Sequence, residues 1–458
     1  MNTNKEIKEG NASGGGLDYG SAPVARLFRK IFFPTLLGMI FTALITIVDG
    51  VFVGRSVGPD GIAAVNIIAP LYMVNTGIGL MLGIGASVVG GIALASSDSR
   101  RASLVVSQSF GVGTLVSVMI ASASLLFPRH VALMLGSSEH LMGNAQDYLC
   151  WLMPGMVFLT WSSIGMMVIR LDGSPKYAMM INVVPAVLNI VGDYILIFPM
   201  GMGVKGAALA TSTSIIVGGL MTMAYFRSPY IIRLVASTRS LMRNVVRVMA
   251  IGSSAFVTEI AMSVMMITGN YVFMSYFGDS GVAAYSIACY LFPIIFMMSN
   301  AVAQSAQPII SYNVGRRAVG RVRETLRLSV GVALLCGMIS FGLISLLSPL
   351  IVELFIPAGS EAGRLAIKGL PIYSSCAVMF AVNIAYIGYY QSIDMPLRAM
   401  LLTLLRGVII LVPAFFVVPI LLPEIGCWAA IPVSEAITLI VILLSYRRFE
   451  PSGVPNGL

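Results

Sequence analysis

The sequence predicts an all-α membrane protein: twelve transmembrane helices in two six-helix bundles related by a pseudo-two-fold axis along the membrane normal. Three observations predict this fold class, namely the scarcity of charge, the length of the apolar segments and an internal repeat. Of the 458 residues, 57% are hydrophobic and 10% are charged, whereas soluble chains carry about 25% charged residues. So few charges cannot cover a soluble surface, which excludes a soluble enzyme, a nucleic-acid-binding domain and a disordered chain.

Twelve segments are long and apolar enough to cross a bilayer, since a crossing helix needs about 20 mostly apolar residues. Strands of a β-barrel would be about 10 residues long with alternating polarity, so the segment lengths favour helices. The predicted spans, numbered in chain order, are 31–54, 61–97, 102–128, 148–169, 177–199, 206–226, 248–278, 281–315, 328–352, 369–391, 399–422 and 425–446.

The basic residues predict the orientation of these spans. With the N-terminus inside, 22 of the 28 Lys and Arg residues fall on the inner side, as the positive-inside rule requires. This distribution places both termini in the cytoplasm, accounts for the net charge of +9 without a nucleic-acid partner, and suits a multi-pass protein of the plasma (inner) membrane.

An internal repeat divides the chain into two lobes. Aligning 58–71 with 278–291 gives six identities in fourteen positions, and nearly the same offset pairs Pro175 with Pro396. Each repeat holds six spans, so both share one topology, which is typical of transporters that hold substrate between parallel repeats. The predicted parts are a flexible cytoplasmic tail (1–22), an N-terminal lobe (23–226), a basic cytoplasmic linker (227–247), a C-terminal lobe (248–447) and a second tail (448–458).

The linker itself allows two interpretations. Arg239, Arg243 and Arg247 recur at four-residue spacing, which predicts one face of a helix lying on the inner leaflet. A solvated connection that carries positive-inside charge fits the same residues.

Polar groups inside the spans are candidates for function, because an intramembrane charge costs about 2.5–3.5 kcal/mol on insertion scales. At about 1.5 Å per residue, four oxygen-bearing side chains of the N-terminal lobe lie about 9 Å below the outer surface: Asp49, Asn189, Asp193 and Thr211. Oxygen ligands suit a small hard cation such as Na⁺, and the carboxylates could instead carry a proton. The alternative is that both carboxylates only reach for lipid headgroups. Pro34 and Pro185 predict bends that free carbonyls in spans 1 and 5.

The C-terminal lobe carries a different set of polar residues. Glu259 and Glu435 lie near the midplane, and Arg406 lies in span 11. Arg406 can offset only one glutamate, which leaves the other neutral, proton-carrying or open to a cationic substrate. Met262 and Met266 share a helical face with Glu259 and are candidates for an adaptable binding surface, although methionine is also a common core residue.

Motifs for other chemistry are absent from the sequence. There is no Walker loop, no nucleophile–base pair stands out, and the five cysteines are scattered without a CxxC pair. The sequence therefore predicts neither an enzyme nor a cofactor.

Between residues 25 and 447 the sequence resembles the MATE (multidrug and toxic compound extrusion) family of transporters. The resemblance rests on twelve spans in two halves and on motifs of matching order and spacing. These motifs are Val48-Asp49-Gly50, Gly58-Pro59-Asp60-Gly61-Ile62-Ala63-Ala64, Asp172-Gly173-Ser174-Pro175, Asn189-Ile190-Val191-Gly192-Asp193-Tyr194, the start of span 6 from Gly203 to Thr211, and Gln307-Pro308-Ile309-Ile310-Ser311-Tyr312-Asn313.

The resemblance implies a secondary active exporter, expected to be a monomer, that extrudes cationic or amphipathic organic compounds in exchange for Na⁺ or H⁺. It implies that Asp49, Asn189, Asp193 and Thr211 form the cation site, that Pro34 bends span 1, and that Glu259 is the family's acid on span 7. The sequence departs from some members in having no acid in span 10, which leaves coupling to the N-terminal lobe.

Two rival functions remain open at this point. A lipid-linked saccharide flippase of the same superfamily would usually have fourteen spans and a strongly basic cavity. A receptor or channel would not need a substrate-coupled ion flux.

Overall fold

The computed structural model describes residues 17–56, 59–135, 137, 141–355, 357–423 and 425–449. Within these ranges the chain is helical without strands, and twelve helices are long and apolar enough to cross a membrane. The predicted all-α class and the number of spans are therefore confirmed. The side chain of Asp49 lies outside the described residues, although its backbone belongs to the first helix.

The twelve helices keep the predicted order but extend beyond the apolar segments. A hydropathy pattern detects only the apolar part of a helix, whereas backbone hydrogen bonding continues into polar residues. The helix of span 10, for example, begins at Glu361, where Ser360 caps it by accepting a hydrogen bond from the Gly363 N–H at 3.0 Å. The helices are Val24–Ser56, Pro59–Ala95, Ser99–Leu126, Met142–Leu171, Pro175–Ile197, Gly203–Tyr225, Leu241–Gly278, Ser280–Gly315, Val319–Leu346, Glu361–Ser392, Pro396–Leu421 and Gly426–Phe449.

Several spans are interrupted or followed by short elements. A 3₁₀ turn at Met153–Gly155 interrupts span 4, and a π-helical turn at Leu405–Ile409 interrupts span 11. Span 10 consists of two helical segments that meet at Ser375. The short helices Pro128–Met134 and Ser348–Phe355 follow spans 3 and 9.

Spans 7 and 8 are joined by a single non-helical residue. Gly278 has φ 60° and ψ −151°, a backbone region that essentially only glycine adopts. The helix of span 7 ends there and the helix of span 8 begins at Ser280, so this junction has no loop.

Local backbone geometry follows the internal repeat. Ser97 and Arg317, which occupy matching positions of the two repeats, end spans 2 and 8 in the left-handed conformation with φ of 59° and 55°. Gly173 and Asp394 match in the same way and adopt this conformation after spans 4 and 10, with φ of 97° and 61°. Non-glycine residues rarely adopt it, so its recurrence at the repeat offset indicates that the two halves share one set of turns.

The chain forms two compact units. The first contains 1–252 together with Ser311–Arg316, and the second contains Ser253–Ile310 and the rest of the chain from Arg317. The start of span 7 therefore packs with the first unit. Gly252 lets span 7 approach the backbone of span 2 closely, because a Cβ built on this glycine would lie 1.8 Å from the Met81 carbonyl oxygen.

Neither interpretation of the linker describes it fully. Residues 229–238 form no helix, and the helix that begins at Leu241 continues directly into span 7. Arg243 and Arg247 thus belong to the first turns of span 7, whereas Arg239 precedes it, and the three do not form a separate interfacial helix.

The second unit has an aromatic core. The rings of Phe273 and Tyr285 stack with centroids 4.6 Å apart, and Trp428 meets Phe273 edge-on at 4.8 Å. Such aromatic pairs contribute about 0.5–1.5 kcal/mol beyond their buried area. They hold spans 7, 8 and 12 together.

Candidate functional site

Spans 1 and 5 run parallel in the first unit. A Cβ built on Gly38 would lie 3.2 Å from the Asn182 amide nitrogen, and further along the two helices the rings of Phe52 and Phe198 meet at 5.6 Å. Asp49 lies eleven residues beyond Gly38, as Asp193 lies eleven beyond Asn182. At about 1.5 Å per residue the two positions are level along their helices.

Asp193 lies in a buried polar group with two of the other predicted ligands. Its side chain is fully buried, and Asn189, one turn earlier on the same face of span 5, is 1% exposed. The Asn189 amide donates a hydrogen bond to the Thr211 hydroxyl of span 6 at 3.3 Å. The structure therefore brings Asn189, Asp193 and Thr211 together, while the side chain of Asp49 is outside the described residues.

The side-chain oxygen of Asn189 (Oδ1) differs from most buried acceptors in having no donor among the described residues. It is buried and accepts no hydrogen bond from any residue that the structure describes. A buried acceptor without a donor costs about 1–3 kcal/mol, and a cation or a protonated carboxyl group would remove that cost. Histidine, cysteine and carboxylate side chains alone do not form a metal cluster in the described part of the chain, so a cation here would depend on amide and hydroxyl oxygens as well.

Both predicted prolines lie within continuous helices, and Pro185 lies one turn before Asn189. Pro34 lies in span 1 and Pro185 in span 5; each lacks the N–H that a carbonyl four residues earlier would otherwise accept. Span 6 packs directly on the second one, since a Cβ built on Gly218 would lie 2.9 Å from the Pro185 ring. In span 5 the freed carbonyl is that of Ile181, eight residues or about 12 Å before Asn189 along the helix.

The second unit contains a buried ion pair. Arg406 bonds the Glu435 carboxylate through Nη2 at 3.0 Å and Nε at 3.1 Å, and Asn383 donates to the same carboxylate at 2.8 Å. The guanidinium also lies 4.2 Å from the centroid of the Phe380 ring. The open question of which glutamate Arg406 offsets is thus answered in favour of Glu435.

A π-helical turn places Arg406 in this position. Such turns insert one extra residue into a helix and are frequent at functional sites. The next residue, Gly407, packs against span 7: a Cβ built on it would lie 2.4 Å from the Ala261 Cβ. Span 11 therefore approaches span 7 two residues from Glu259.

Glu259 has no opposite charge beside it in the part of the chain that the structure describes. Its side chain is partly buried and forms neither an ion pair nor a hydrogen bond with the described residues. The two methionines that share its predicted face have different surroundings. Met262 packs against the aromatic core, whereas Met266 is 38% exposed. Met266 thus offers more accessible side-chain surface than the partly buried Met262.

Two buried polar networks of the first unit were not singled out from the sequence. Asn75, Ser117 and Thr160 connect spans 2, 3 and 4: the Asn75 amide donates to Thr160 at 3.1 Å, and Ser117 donates to Asn75 at 2.9 Å. The sequence gives no distinctive signal for this network, because each of the three spans carries several uncharged polar residues, a common pattern in helices.

The second network centres on Asp172, at the end of span 4. Its carboxylate accepts hydrogen bonds from the Tyr225 hydroxyl at 2.7 Å and from the N–H groups of Tyr230, Ile231 and Ile232 at 2.8–2.9 Å. Burial raises the pKa of the Asp172 carboxyl, and these four hydrogen bonds oppose that shift. This aspartate opens one of the motifs named above, and its role in the structure is to anchor the linker.

Comparisons with known proteins agree with this architecture. The family model described as MatE matches residues 34–195 and 254–416. The multidrug export protein MepA of Staphylococcus aureus (strain MSSA476) is 23% identical over 436 residues, which cover 93% of this chain and 94% of the relative.

Solved structures share the fold across the chain. One, described as an outward-facing conformation of a multidrug resistance MATE family transporter of the MOP superfamily, gives a TM-score of 0.88 at 22% identity, covering 95% of this chain and 97% of that one. A MOP superfamily transporter from Pyrococcus furiosus gives 0.87 at 21% identity over 95% and 97%. The latter is described as having a binding pocket of reverse polarity that suggests a different function.

Proposed function

Since this chain belongs to the MatE family of multi-pass membrane transporters, we propose that it is a secondary active multidrug exporter. It exchanges cationic or amphipathic organic compounds for Na⁺ or H⁺ across the plasma membrane, as a monomer with both termini in the cytoplasm. The similarity to MepA, a multidrug export protein, supports the substrate class.

The observation that carries the coupling proposal is the buried oxygen group of the first lobe. Asp193 is fully buried, and the neighbouring Asn189 oxygen has no donor among the described residues. A buried carboxylate is costly when charged, so it gains from a proton or from Na⁺. An ion that binds one conformation more tightly than the other shifts the equilibrium between them, and this differential affinity drives the exchange.

Glu259 supports recognition of positively charged cargo in the second lobe. Arg406 already offsets Glu435 at 3.0 Å, so a cationic compound would meet the one midplane glutamate that lacks a counter-charge among the described residues. The buried and neutralised Arg406 also disfavours the flippase alternative, which needs a basic cavity for an anionic lipid-linked sugar.

Transport by the purified protein in proteoliposomes tests the proposal. A fluorescent organic cation serves as substrate, and the Na⁺ gradient and the pH gradient are imposed separately. We expect transport under one of the two gradients and a loss of at least tenfold in the Asp49→Asn and Asp193→Asn variants.

Asp147→Asn provides the matched control, because Asp147 is an exposed acid of the same lobe that pairs with Lys205 at 3.3 Å. This control should transport normally. No organic cation flux under either gradient would refute the exporter proposal, and normal coupled flux in both Asp49→Asn and Asp193→Asn would refute the coupling site. An ionic current independent of substrate would favour a channel.

A further inference from the structure

The segment between the two lobes is fixed in place by buried and partly buried side chains of the first unit. Besides the three N–H groups bound by Asp172, the Arg233 N–H donates to Ser103 at 3.1 Å and the Val235 N–H donates to Ser107 at 2.8 Å. Ile232 between them is fully buried in the core. A flexible connection between two lobes would not need these contacts, so the segment has a defined conformation.

The same attachment continues to the start of span 7. The Gln108 amide of span 3 donates to the carbonyls of Ser237 and Arg239, each at 3.0 Å, and accepts from Asn244 at 2.9 Å. Span 3 therefore holds the linker backbone from residue 233 to residue 239 through side chains that point at it.

This fixed backbone presents two arginines around a recess. The recess has a volume of about 500 Å³ and is lined by Phe226, Arg227, Ser228, Pro229, Arg233 and Leu234. Arg227 and Arg233 are exposed and form no ion pair with the described residues. Asp172, the acid that contacts this segment, already accepts four hydrogen bonds, so the recess is left with positive charge and hydrogen-bond donors. We refer to it as the basic recess.

Apolar side chains surround the basic recess on the exposed surface. Ile231 is 46% exposed, and Leu234 and Val235 are each 39% exposed. The recess begins directly after span 6 ends at Tyr225, which places it at the level where apolar helices meet the headgroups. Arginines alternating with exposed apolar residues at that level are typical of segments that bind anionic membrane surfaces.

We propose that the basic recess binds the phosphate headgroup of an anionic phospholipid, with Arg227 and Arg233 on the phosphate and with Ile231, Leu234 and Val235 against the acyl chains. Arginine suits this ligand because its planar donors match phosphate oxygens in pairs. The site would lie in the leaflet on the arginine-rich, cytoplasmic side. It is independent of the proposed coupling ion and drug substrate.

Lipid titration of the purified protein in nanodiscs tests the proposal, with phosphatidylglycerol in a phosphatidylcholine background and native mass spectrometry to count bound lipid. Each arginine near a membrane surface contributes about 1 kcal/mol to anionic lipid binding, or about fivefold. We expect one tightly bound phosphatidylglycerol in the unmodified protein and about 25-fold weaker binding in Arg227→Gln/Arg233→Gln.

The matched control is Arg26→Gln/Arg29→Gln. These two arginines are exposed at the start of span 1. They lie at the same end of the unit as the end of span 6, because both segments contact the end of span 4: the Tyr19 hydroxyl donates to the Arg170 carbonyl, and the Tyr225 hydroxyl donates to Asp172. The control removes the same charge and should leave the bound lipid in place. An equal loss of lipid in both double variants, or no loss in either, would overturn the proposal in favour of a diffuse electrostatic attraction.

Two further measurements separate a built lipid site from its alternatives. Ser103→Ala/Ser107→Ala changes no charge but removes two anchors of the linker, and it should weaken binding several-fold; unchanged binding would show that a loose basic segment suffices. A large excess of sn-glycerol 1-phosphate should leave the lipid bound, because that anion lacks acyl chains. Complete displacement by it would identify the ligand as a free phosphate compound instead.

Discussion

The Arg406–Glu435 pair provides the sharpest test of the second lobe, through the substitution Glu435→Gln. Both side chains are almost fully buried, with 7% of the guanidinium side chain and 3% of the carboxylate side chain exposed. Removing one partner of a buried pair costs about 3–5 kcal/mol, because the remaining charge is left uncompensated. Glutamine keeps the shape and can still accept from Asn383, so we expect a loss of about 3 kcal/mol, the lower end of that range.

The double variant Arg406→Met/Glu435→Gln tests whether the loss of stability in Glu435→Gln comes from the uncompensated guanidinium charge. Replacing both charges removes the uncompensated guanidinium, and buried pairs replaced by neutral side chains are often as stable as the original. We therefore expect the double variant to be more stable than Glu435→Gln alone. The assay is reversible unfolding in mixed micelles of increasing denaturing detergent, with the free energies compared as a double-mutant cycle.

Glu259→Gln serves as the contrasting variant. Glu259 has no ion pair among the described residues, so its neutralisation should leave the free energy of unfolding unchanged or increase it, while transport of an organic cation falls at least tenfold. A Glu435→Gln variant as stable as the unmodified protein would refute the structural role of the pair. Unchanged cation transport in Glu259→Gln would refute the separation of structural and recognition roles between the two glutamates.

Three further predictions concern the first unit. Asn189→Ala should raise the concentration of coupling ion needed for half-maximal transport by about tenfold, because it removes the side-chain oxygen that accepts no hydrogen bond from the described residues; proteoliposome flux at varied Na⁺ and pH measures it. Gly252→Ala should destabilise the protein by about 1–3 kcal/mol through overlap with the backbone of span 2. Gly111→Ala, where a Cβ would meet nothing within 4 Å, should instead be neutral or stabilise the helix by up to about 1 kcal/mol in the same unfolding assay. Asp172→Asn should speed amide hydrogen exchange at residues 230–232 without affecting span 5, since one of the two acceptor oxygens is replaced by a donor.

The number of spans could be predicted because it depends on composition averaged over the length of a membrane crossing, which the sequence displays directly. The grouping of Asn189 with Asp193 could be predicted for a similar reason, as both lie on one face of one helix. Thr211 was placed by depth and by the family resemblance, and the structure shows its contact with Asn189 at 3.3 Å.

The partner of Arg406 could not be predicted from depth, because Glu259 and Glu435 lie at similar levels in different helices. The choice depends on how span 11 is rotated, and the π-helical turn at Leu405–Ile409 changes that rotation locally. The anchoring role of Asp172 was hidden for another reason: three of its four donors are backbone N–H groups 58–60 residues away, and backbone groups leave no trace in the sequence.

The single-residue junction at Gly278 also bears on experimental access to the protein. With one helix ending at Gly278 and the next beginning at Ser280, antibodies, proteases and inserted epitope tags find no loop to engage between spans 7 and 8. An insertion there would have to distort a backbone conformation open essentially only to glycine. Labels meant to report on this end of the second lobe are better attached to residues 357–360, which connect the helix ending at Phe355 to span 10.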